Sequence, residues 1–291
     1  MNGIILVNKP IGKTSHDIVS IMRRLTGIRR IGHTGTLDPM AEGVLPVCIG
    51  NATKVSDMLT NADKKYTAEL ILGMTTDTLD AEGEVITECA VDVTEEQIKD
   101  TINSFIGEIE QIPPMYSAIK KDGKKLYELA REGKTAEREA RRINIYDIKI
   151  TDINNENNSV TIDVHCSKGT YIRTLCEDIG LKLKVGAYMN KLTRTETAGF
   201  NISNCYTLAE INEFCQNGTL NKMLIPTDSV FYKYPEIRLN EKQSARIKNG
   251  VFVSAPGIEE TKKYRVYDNI GQFICVAQCI EGRLHIIKSF R

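Results

Sequence analysis

The chain has 291 residues, 41% of them hydrophobic and 26% charged, with 38 acidic side chains balancing 38 basic ones. This is the composition of a soluble globular protein and excludes collagen-like, low-complexity and disordered classes. The length suits one large domain plus a small one. A net charge of zero gives no global footprint of a nucleic-acid binder, yet the charge is segregated. Asp77 to Glu110 carries many acids and one basic side chain, Lys99. Arg23, Arg24, Arg29 and Arg30, then Lys120, Lys121, Lys124 and Lys125, then Arg138, Arg141 and Arg142 form basic clusters. Such a balance can hide a basic face on a neutral protein, although, taken alone, the clusters are better read as solvated helix and loop surfaces.

At the N-terminus, Ile4 to Val7 reads as a short apolar strand ended by Asn8-Lys9-Pro10. It is too short for a signal peptide and lacks a cationic start. No apolar run reaches the length of a bilayer span, so a cytoplasmic protein with no membrane partner is expected. Its 8 cysteines are scattered and read as buried thiols. Ser15 is placed as the N-cap of a helix from about His16, with Ile18, Met22 and Leu25 on one face and Gly27 as its stop. Residues 31 to 46, punctuated by glycine and proline, read as a loop. Lys65 to Gly73 alternates as a strand, with Tyr66, Ala68, Leu70 and Leu72 on one face. Thr94-Glu95-Glu96-Gln97 resembles a capping box and opens a helix ending at Gly107.

Val160, Ile162, Val164 and Cys166 form another alternating strand, and Gly169-Thr170 leads into a helix from about Tyr171 to Leu183. A short helix follows over Thr207 to Cys215. After breaks at Asn217-Gly218 and Pro226-Thr227-Asp228 the character changes. A helix over Leu239 to Ile247 precedes strands at Tyr264 to Tyr267, Phe273 to Ala277 and Leu284 to Ile287. The mixture lacks a steady strand–helix–strand rhythm, which points to an α+β fold with a mostly antiparallel central sheet and flanking helices. Residues 1–231 are read as the main domain and 232–291 as a small β-rich one.

Gly12-Lys13-Thr14 matches the end of a phosphate-binding loop, but Val7 stands where the motif needs a glycine, so that reading is rejected and Thr14 and Ser15 are read as capping residues. Cys275 and Cys279 have no second pair at zinc spacing, and His16, His33, His165 and His285 are dispersed. Asp77 and Asp80 could hold a hard cation, but two acids in an acidic stretch arise readily by chance. No metal and no cofactor are expected. The segment from Gly32 to Pro46 is the most informative. Asp38 lies there among small and apolar residues, and Pro39 biases it toward extended backbone while removing the next amide donor. A carboxylate so held suits a nucleophile or general base; an Asp that merely starts a turn before proline fits the same residues, and local physics alone leaves that reading ahead.

Taken in series, the motifs resemble the TruB family of tRNA pseudouridine synthases. Gly32-His33-Thr34-Gly35-Thr36-Leu37-Asp38-Pro39 with Ala41-Glu42-Gly43-Val44-Leu45 is similar to its active-site loop. Asn8-Lys9-Pro10 with Gly12 and Thr14-Ser15, Lys65-Tyr66, and Asp77-Thr78 with Asp80 and Gly83 resemble the motifs around it. Pro113-Pro114-Met115-Tyr116-Ser117-Ala118 with Lys120 and Gly123, then Leu126-Tyr127-Ala130-Arg131-Gly133, is similar to the family's RNA-contacting insertion. Ser167-Lys168-Gly169-Thr170-Tyr171-Ile172-Arg173-Thr174-Leu175 and Leu192-Thr193-Arg194 with Gly199-Phe200 complete the series, which covers residues 3 to about 230. Thr193 departs from the family, where a second arginine often sits.

The resemblance implies isomerisation of uridine to pseudouridine at position 55 in the T arm of tRNA, without cofactor, by a pseudouridine synthase fold with a PUA-like RNA-binding domain behind it. It makes Asp38 the nucleophile, Arg173 its partner, and Tyr66 a stacking and proton-relaying group. His33, Tyr171, Leu192 and Lys9 would bind substrate or support the loop, with the target base flipped out of its stack. Two other functions compete. A non-catalytic RNA-binding or RNA-folding protein on the same scaffold is opposed by the intact trio of Asp38, Tyr66 and Arg173, though a tRNA-chaperone role is compatible with catalysis. A metal-dependent phosphotransferase or nuclease would use Asp77 and Asp80. Nothing points to an oligomer, and a monomer is the default expectation.

Overall fold

The computed structural model describes residues 1–121 and 123–290. Its elements, in chain order, begin with β1 (Gly3–Lys9), α1 (Ser15–Thr26), β2 (Ile31–His33), β3 (Glu42–Ile49), α2 (Ser56–Thr60), β4 (Lys64–Leu72), β5 (Met74–Thr76) and β6 (Val85–Glu88). Next come α3 (Glu95–Asn103), β7 (Gly107–Gln111), β8 (Lys120–Lys121), β9 (Lys124–Lys125), α4 (Leu126–Arg131), β10 (Arg141–Asn154), β11 (Ser159–Cys166), α5 (Ile172–Leu183), β12 (Ala187–Thr197), β13 (Phe200–Asn201) and α6 (Leu208–Gln216). The chain closes with β14 (Glu236–Arg238), α7 (Glu241–Lys248), β15 (Lys263–Tyr267), β16 (Phe273–Ile280) and β17 (Arg283–Ser289).

The fold is α+β, as the sequence predicts. The central sheet runs β1-β3-β12-β4-β11-β10-β7, with β2 paired to β3 and β13 to β12. Every pairing in it is antiparallel except β12 with β3. The alternation read in Lys65–Gly73 is seen in β4, where Tyr66, Ala68, Leu70 and Leu72 are all buried. They face Ile98 and Ile102 of α3 and Leu175, Cys176 and Ile179 of α5 in one apolar cluster. A second cluster joins Ile5, Val7, Leu45 and Val47 to Ile18, Val19 and Met22 of α1 and Ile211 of α6.

The C-terminal strands form their own four-stranded sheet, β14-β15-β16-β17, around a core that includes Ile247, Val266 and Leu284. This part does not stand clear of the rest. Val276 and Phe290 pack with Ile4, Leu6, Cys48, Ala52, Val55 and Phe231. The side chains of Asn51 and Lys54 donate to the carbonyls of Phe290 (2.9 Å) and Ser289 (2.6 Å). No helix among the described residues is long and apolar enough to cross a membrane.

Several local expectations need correction. The N-cap of α1 is Thr14, not Ser15: the Thr14 hydroxyl accepts from the Asp17 amide and the Asp17 carboxylate accepts from the Thr14 amide, a complete capping box. Residues 31 to 46 are not one loop. β2 and the first part of β3 lie inside that stretch, because strand pairing satisfies its backbone despite the glycines and Pro46. Gly43 has φ +109°, and an added Cβ would stand 2.3 Å from the Arg194 carbonyl oxygen, so this glycine permits the close approach of β3 to β12. Helix α3 ends at a Ser104 cap rather than at Gly107, and α7 covers Glu241–Lys248 rather than Leu239 to Ile247, since Asn240 is the residue that caps it.

Candidate active site

Residues 34–41 form a short loop between β2 and β3, and Asp38 sits near its middle. Three side chains hold it from different sides. Ser15, at the start of α1 and buried, accepts from the Leu37 amide (2.8 Å) and donates to the Leu37 carbonyl (3.1 Å). Lys9, at the end of β1 and buried, donates through Nζ to the carbonyls of Pro10 (2.9 Å), Lys13 (2.7 Å) and Pro39 (3.3 Å). Burial lowers the Lys9 ammonium to about 8 against the pull of Asp38. From β12, Arg194 donates to Val44 (2.8 Å), Thr36 (3.4 Å) and Gly35 (3.1 Å), all backbone carbonyls.

Arg173, one residue into α5, meets the loop at Asp38, with Nη2 3.0 Å from Oδ2. Its other nitrogen, Nη1, lies 3.1 Å from Oδ2 of Asp80. The same guanidinium donates to the carbonyls of Thr78 (3.2 Å) and Tyr116 (2.8 Å). It therefore ties the Asp38 loop, the turn between β5 and β6, and the segment that follows β7. The exposures are unequal: 7% for the Arg173 side chain, 5% for Asp80 and 37% for Asp38. The arginine and its anchor are thus internal, while the second carboxylate looks out. Burial raises the Asp38 carboxyl above the ordinary range, Arg173 opposes that most strongly, and Asp80 adds to it.

Tyr66 lies on β4 beside this pair, packed with Leu37, Met40, Ala41 and Leu192. In the antiparallel register it stands directly opposite Arg194. Burial pushes its phenol up to about 12, with Arg194 pulling the other way. Leu192 is two residues back on β12 and lies in the same apolar wall. Tyr171 is the N-cap residue of α5, and its peptide is held by Gln111, whose side chain accepts from the Tyr171 amide (3.0 Å) and donates to its carbonyl (3.3 Å). His33 ends β2 half-buried; its Nδ1 is buried with no hydrogen-bond partner, and burial, then the charge of Arg194, keeps the ring toward its neutral form.

Of the residues singled out from sequence, Asp38, Arg173, Tyr66, Leu192 and Lys9 converge on one place, with Tyr171 leading into the helix that carries Arg173. His33 sits on the strand that enters the loop. The sequence reading missed what Ser15 and Gln111 do. Asp80, expected from sequence as a candidate cation ligand and as part of a motif around the loop, is a second carboxylate partner of Arg173. Both Asp80 oxygens are engaged: Oδ1 accepts from Thr78 Oγ1 (2.6 Å) and the Glu82 amide (3.1 Å), and Oδ2 faces Arg173. Asp77 accepts from the Glu84 amide (2.9 Å) and closes the same turn. No group of three or more potential ligands able to hold a metal occurs among the described residues. Thr193 bonds Glu42 of β3 through its hydroxyl (3.1 Å).

Comparison with known proteins identifies the lineage of this arrangement. Residues 23–172 match the TruB family pseudouridylate synthase N-terminal domain. The chain belongs to the TruB family of pseudouridine synthases. Residues 173–232 match the tRNA pseudouridylate synthase B C-terminal domain, and 235–285 the C-terminal domain of pseudouridine synthase II TruB. The tRNA pseudouridine synthase B of Clostridium tetani is 46% identical over 99% of this chain and 99% of its own length. That of Geobacillus thermodenitrificans is 43% identical over 88% and 87%. Among solved structures, a chain of a Cbf5-Nop10-Gar1 complex superposes with a TM-score of 0.74 at 26% identity, covering 99% of this chain and 85% of that one.

Proposed function

We propose that this TruB-family enzyme converts uridine to pseudouridine in the T arm of tRNA, at position 55, using Asp38 as nucleophile on a uridine flipped out of its stack. The observation that carries the reading is the Asp38–Arg173 pair, at 3.0 Å, beside the Tyr66 ring in a chain of this family. The isomerisation breaks the bond from C1′ to N1, turns the base and joins C1′ to C5. C5 loses its hydrogen and N1 takes a proton, so neither redox change nor donated group is needed. Asp38 supplies the electron pair, to C1′ of the ribose or to C6 of the base, and leaves again when the new bond forms. Arg173 orients the carboxylate and opposes the rise in its pKa caused by burial. Tyr66 offers a ring face to the uracil, and Leu192 closes the apolar side.

Flipping a uridine costs a few kcal/mol of stacking. His33, half-buried at the mouth of the loop, is assigned to fill or stack against the vacated space. Basic side chains of the insertion, Lys120, Lys121, Lys124 and Lys125 among them, are exposed or half-exposed and would contact phosphates. Residues 1–231 are assigned to catalysis and 232–291 to a PUA-like RNA-binding domain, the protein acting as a cytoplasmic monomer. A chaperone action on tRNA is compatible with the same surface.

Purified protein should form pseudouridine in an unmodified tRNA transcript, mapped by carbodiimide adducts that stop reverse transcription. Asp38→Asn should form none while binding the transcript within about 3-fold of the wild type, because the shape is kept and the nucleophilic charge is lost. Turnover by pure Asp38→Asn protein would rule out the assigned nucleophile, and product outside the T arm would rule out the assigned substrate site.

A further inference from the structure

Arg194 is the largest side chain the fold buries completely, at 1% exposure. A buried guanidinium costs several kcal/mol unless it is paired and hydrogen-bonded. The neighbouring ion pairs join Arg173 to Asp38 and Asp80 and leave Arg194 without a carboxylate partner among the described residues. Its donors go instead to backbone carbonyls, Gly35 and Thr36 on the arm entering the Asp38 turn and Val44 on the arm leaving it, and to the Tyr66 phenol oxygen. Neither Ser15 nor Lys9 spans both arms in this way, since Ser15 grips Leu37 alone and Lys9 reaches the loop only at Pro39.

The register supplies the rest of the geometry. Arg194 is paired with Gly43 across the parallel β12–β3 contact and with Tyr66 across the antiparallel β12–β4 contact. One residue of one strand therefore touches the strand that continues the Asp38 loop and the strand that carries Tyr66. A hydrocarbon of similar volume would fill the space but take the guanidinium donor from the buried Val44 carbonyl, where an unpaired group costs about 1–3 kcal/mol, and from the part-buried carbonyls of Gly35 and Thr36.

We propose that Arg194 is a positioning residue for the isomerisation: its guanidinium sets the Asp38 loop at a fixed height against the Tyr66 ring without touching the substrate. The proposal rests on the pseudouridine-forming reading above. Asp38 hangs from the segment between the two gripped arms, and Tyr66 rises from the strand directly opposite. Reacting groups must be held to within about half an ångström for full rate, and a displacement of about 1 Å costs on the order of 100-fold.

The test compares the full-length wild type with Arg194→Lys and Arg194→Met on unmodified tRNA, measuring single-turnover rate and tRNA Kd separately. The wild type must first form pseudouridine; if it does not, the functional reading fails and takes this proposal with it. Arg194→Lys keeps the charge and loses the planar fork, so it should fold and react about 10–100-fold more slowly, with Kd within about 3-fold. Arg194→Met should be slower still at similar Kd. If Met does not fold, the Lys variant alone decides. A wild-type rate for Arg194→Lys, or a loss in Kd as large as the loss in rate, overturns the proposal while leaving the function intact.

Discussion

Replacing Arg173 by methionine removes the one cation among the described residues that is ion-paired with the Asp38 carboxylate. At the 3.0 Å contact, and with about 4 Å between charge centres, the pair is worth about 4 kcal/mol at an effective dielectric constant of about 20. The Asp38 side chain is 37% exposed, so solvent screens roughly half of that, leaving about 2 kcal/mol, or about 1.5 pH units at 1.36 kcal/mol per unit. The sign follows from the charges. Burial has already raised this carboxyl and Arg173 is the strongest opposing influence, so its loss raises the pKa further. The proposed nucleophile acts in its ionised form, and the acidic limb of the rate profile should therefore move to higher pH. Orientation is lost as well, and the plateau rate should fall by about 100-fold or more.

The same change strands Asp80, a carboxylate that is 5% exposed, and breaking such a buried pair costs about 3–5 kcal/mol of stability. Folding must therefore be checked by thermal melting before rates are compared, with Arg173→Lys as the companion that keeps a charge near both acids. The assay is single-turnover release of the C5 hydrogen from T-arm RNA, isotopically labelled there, across roughly pH 5 to 9. A folded Arg173→Met protein with the wild-type rate and pH profile would refute the reasoning.

Two further outcomes follow from the same geometry. Tyr66→Phe keeps the ring in its wall of Leu37, Met40 and Leu192 and removes the hydroxyl, so tRNA Kd should stay within about 3-fold while the single-turnover rate falls by about 100-fold; equal rates would reduce Tyr66 to packing. Gly43→Ala places a methyl 2.3 Å from the Arg194 carbonyl at φ +109°, and urea unfolding should show a loss above about 3 kcal/mol, whereas a loss below about 1 kcal/mol would mean that β3 and β12 can part without harm.

The fold was readable where side chains alternate and caps are local. Tyr66, Ala68, Leu70 and Leu72 announce β4, and Thr94 with Gln97 announces α3, because both signals lie within a few residues. The strands around the Asp38 loop were harder. In β3, Gly43 and Pro46 look like loop punctuation, and only the partner strands on either side satisfy the backbone between them. Asp38, Tyr66 and Arg173 could be named from motif order, yet their local surroundings did not separate a nucleophile from a turn aspartate. What distinguishes Asp38 is a guanidinium supplied from far along the chain. Ser15 shows the same limit: beside Thr14 it reads as a cap, and only the folded chain brings Leu37 to its hydroxyl. Gln111 carried no local signal at all, since its role is to hold the peptide at the head of a helix that begins on another part of the sheet.

The placement of β12 bears on when a growing chain becomes competent. In sequence it follows β11, but in the sheet it lies between β3 and β4. Until residues 187–197 have left the ribosome, those two earlier strands lack the partner that joins them, and the Asp38 loop lacks Arg194, one of the two arginines that hold it. Pairings between residues so distant along the chain form late, because the intervening loop must be closed before any contact rewards it. The unfinished chain thus exposes unpaired strand edges on the ribosome, and the arrival of one central strand both seals the sheet and completes the site.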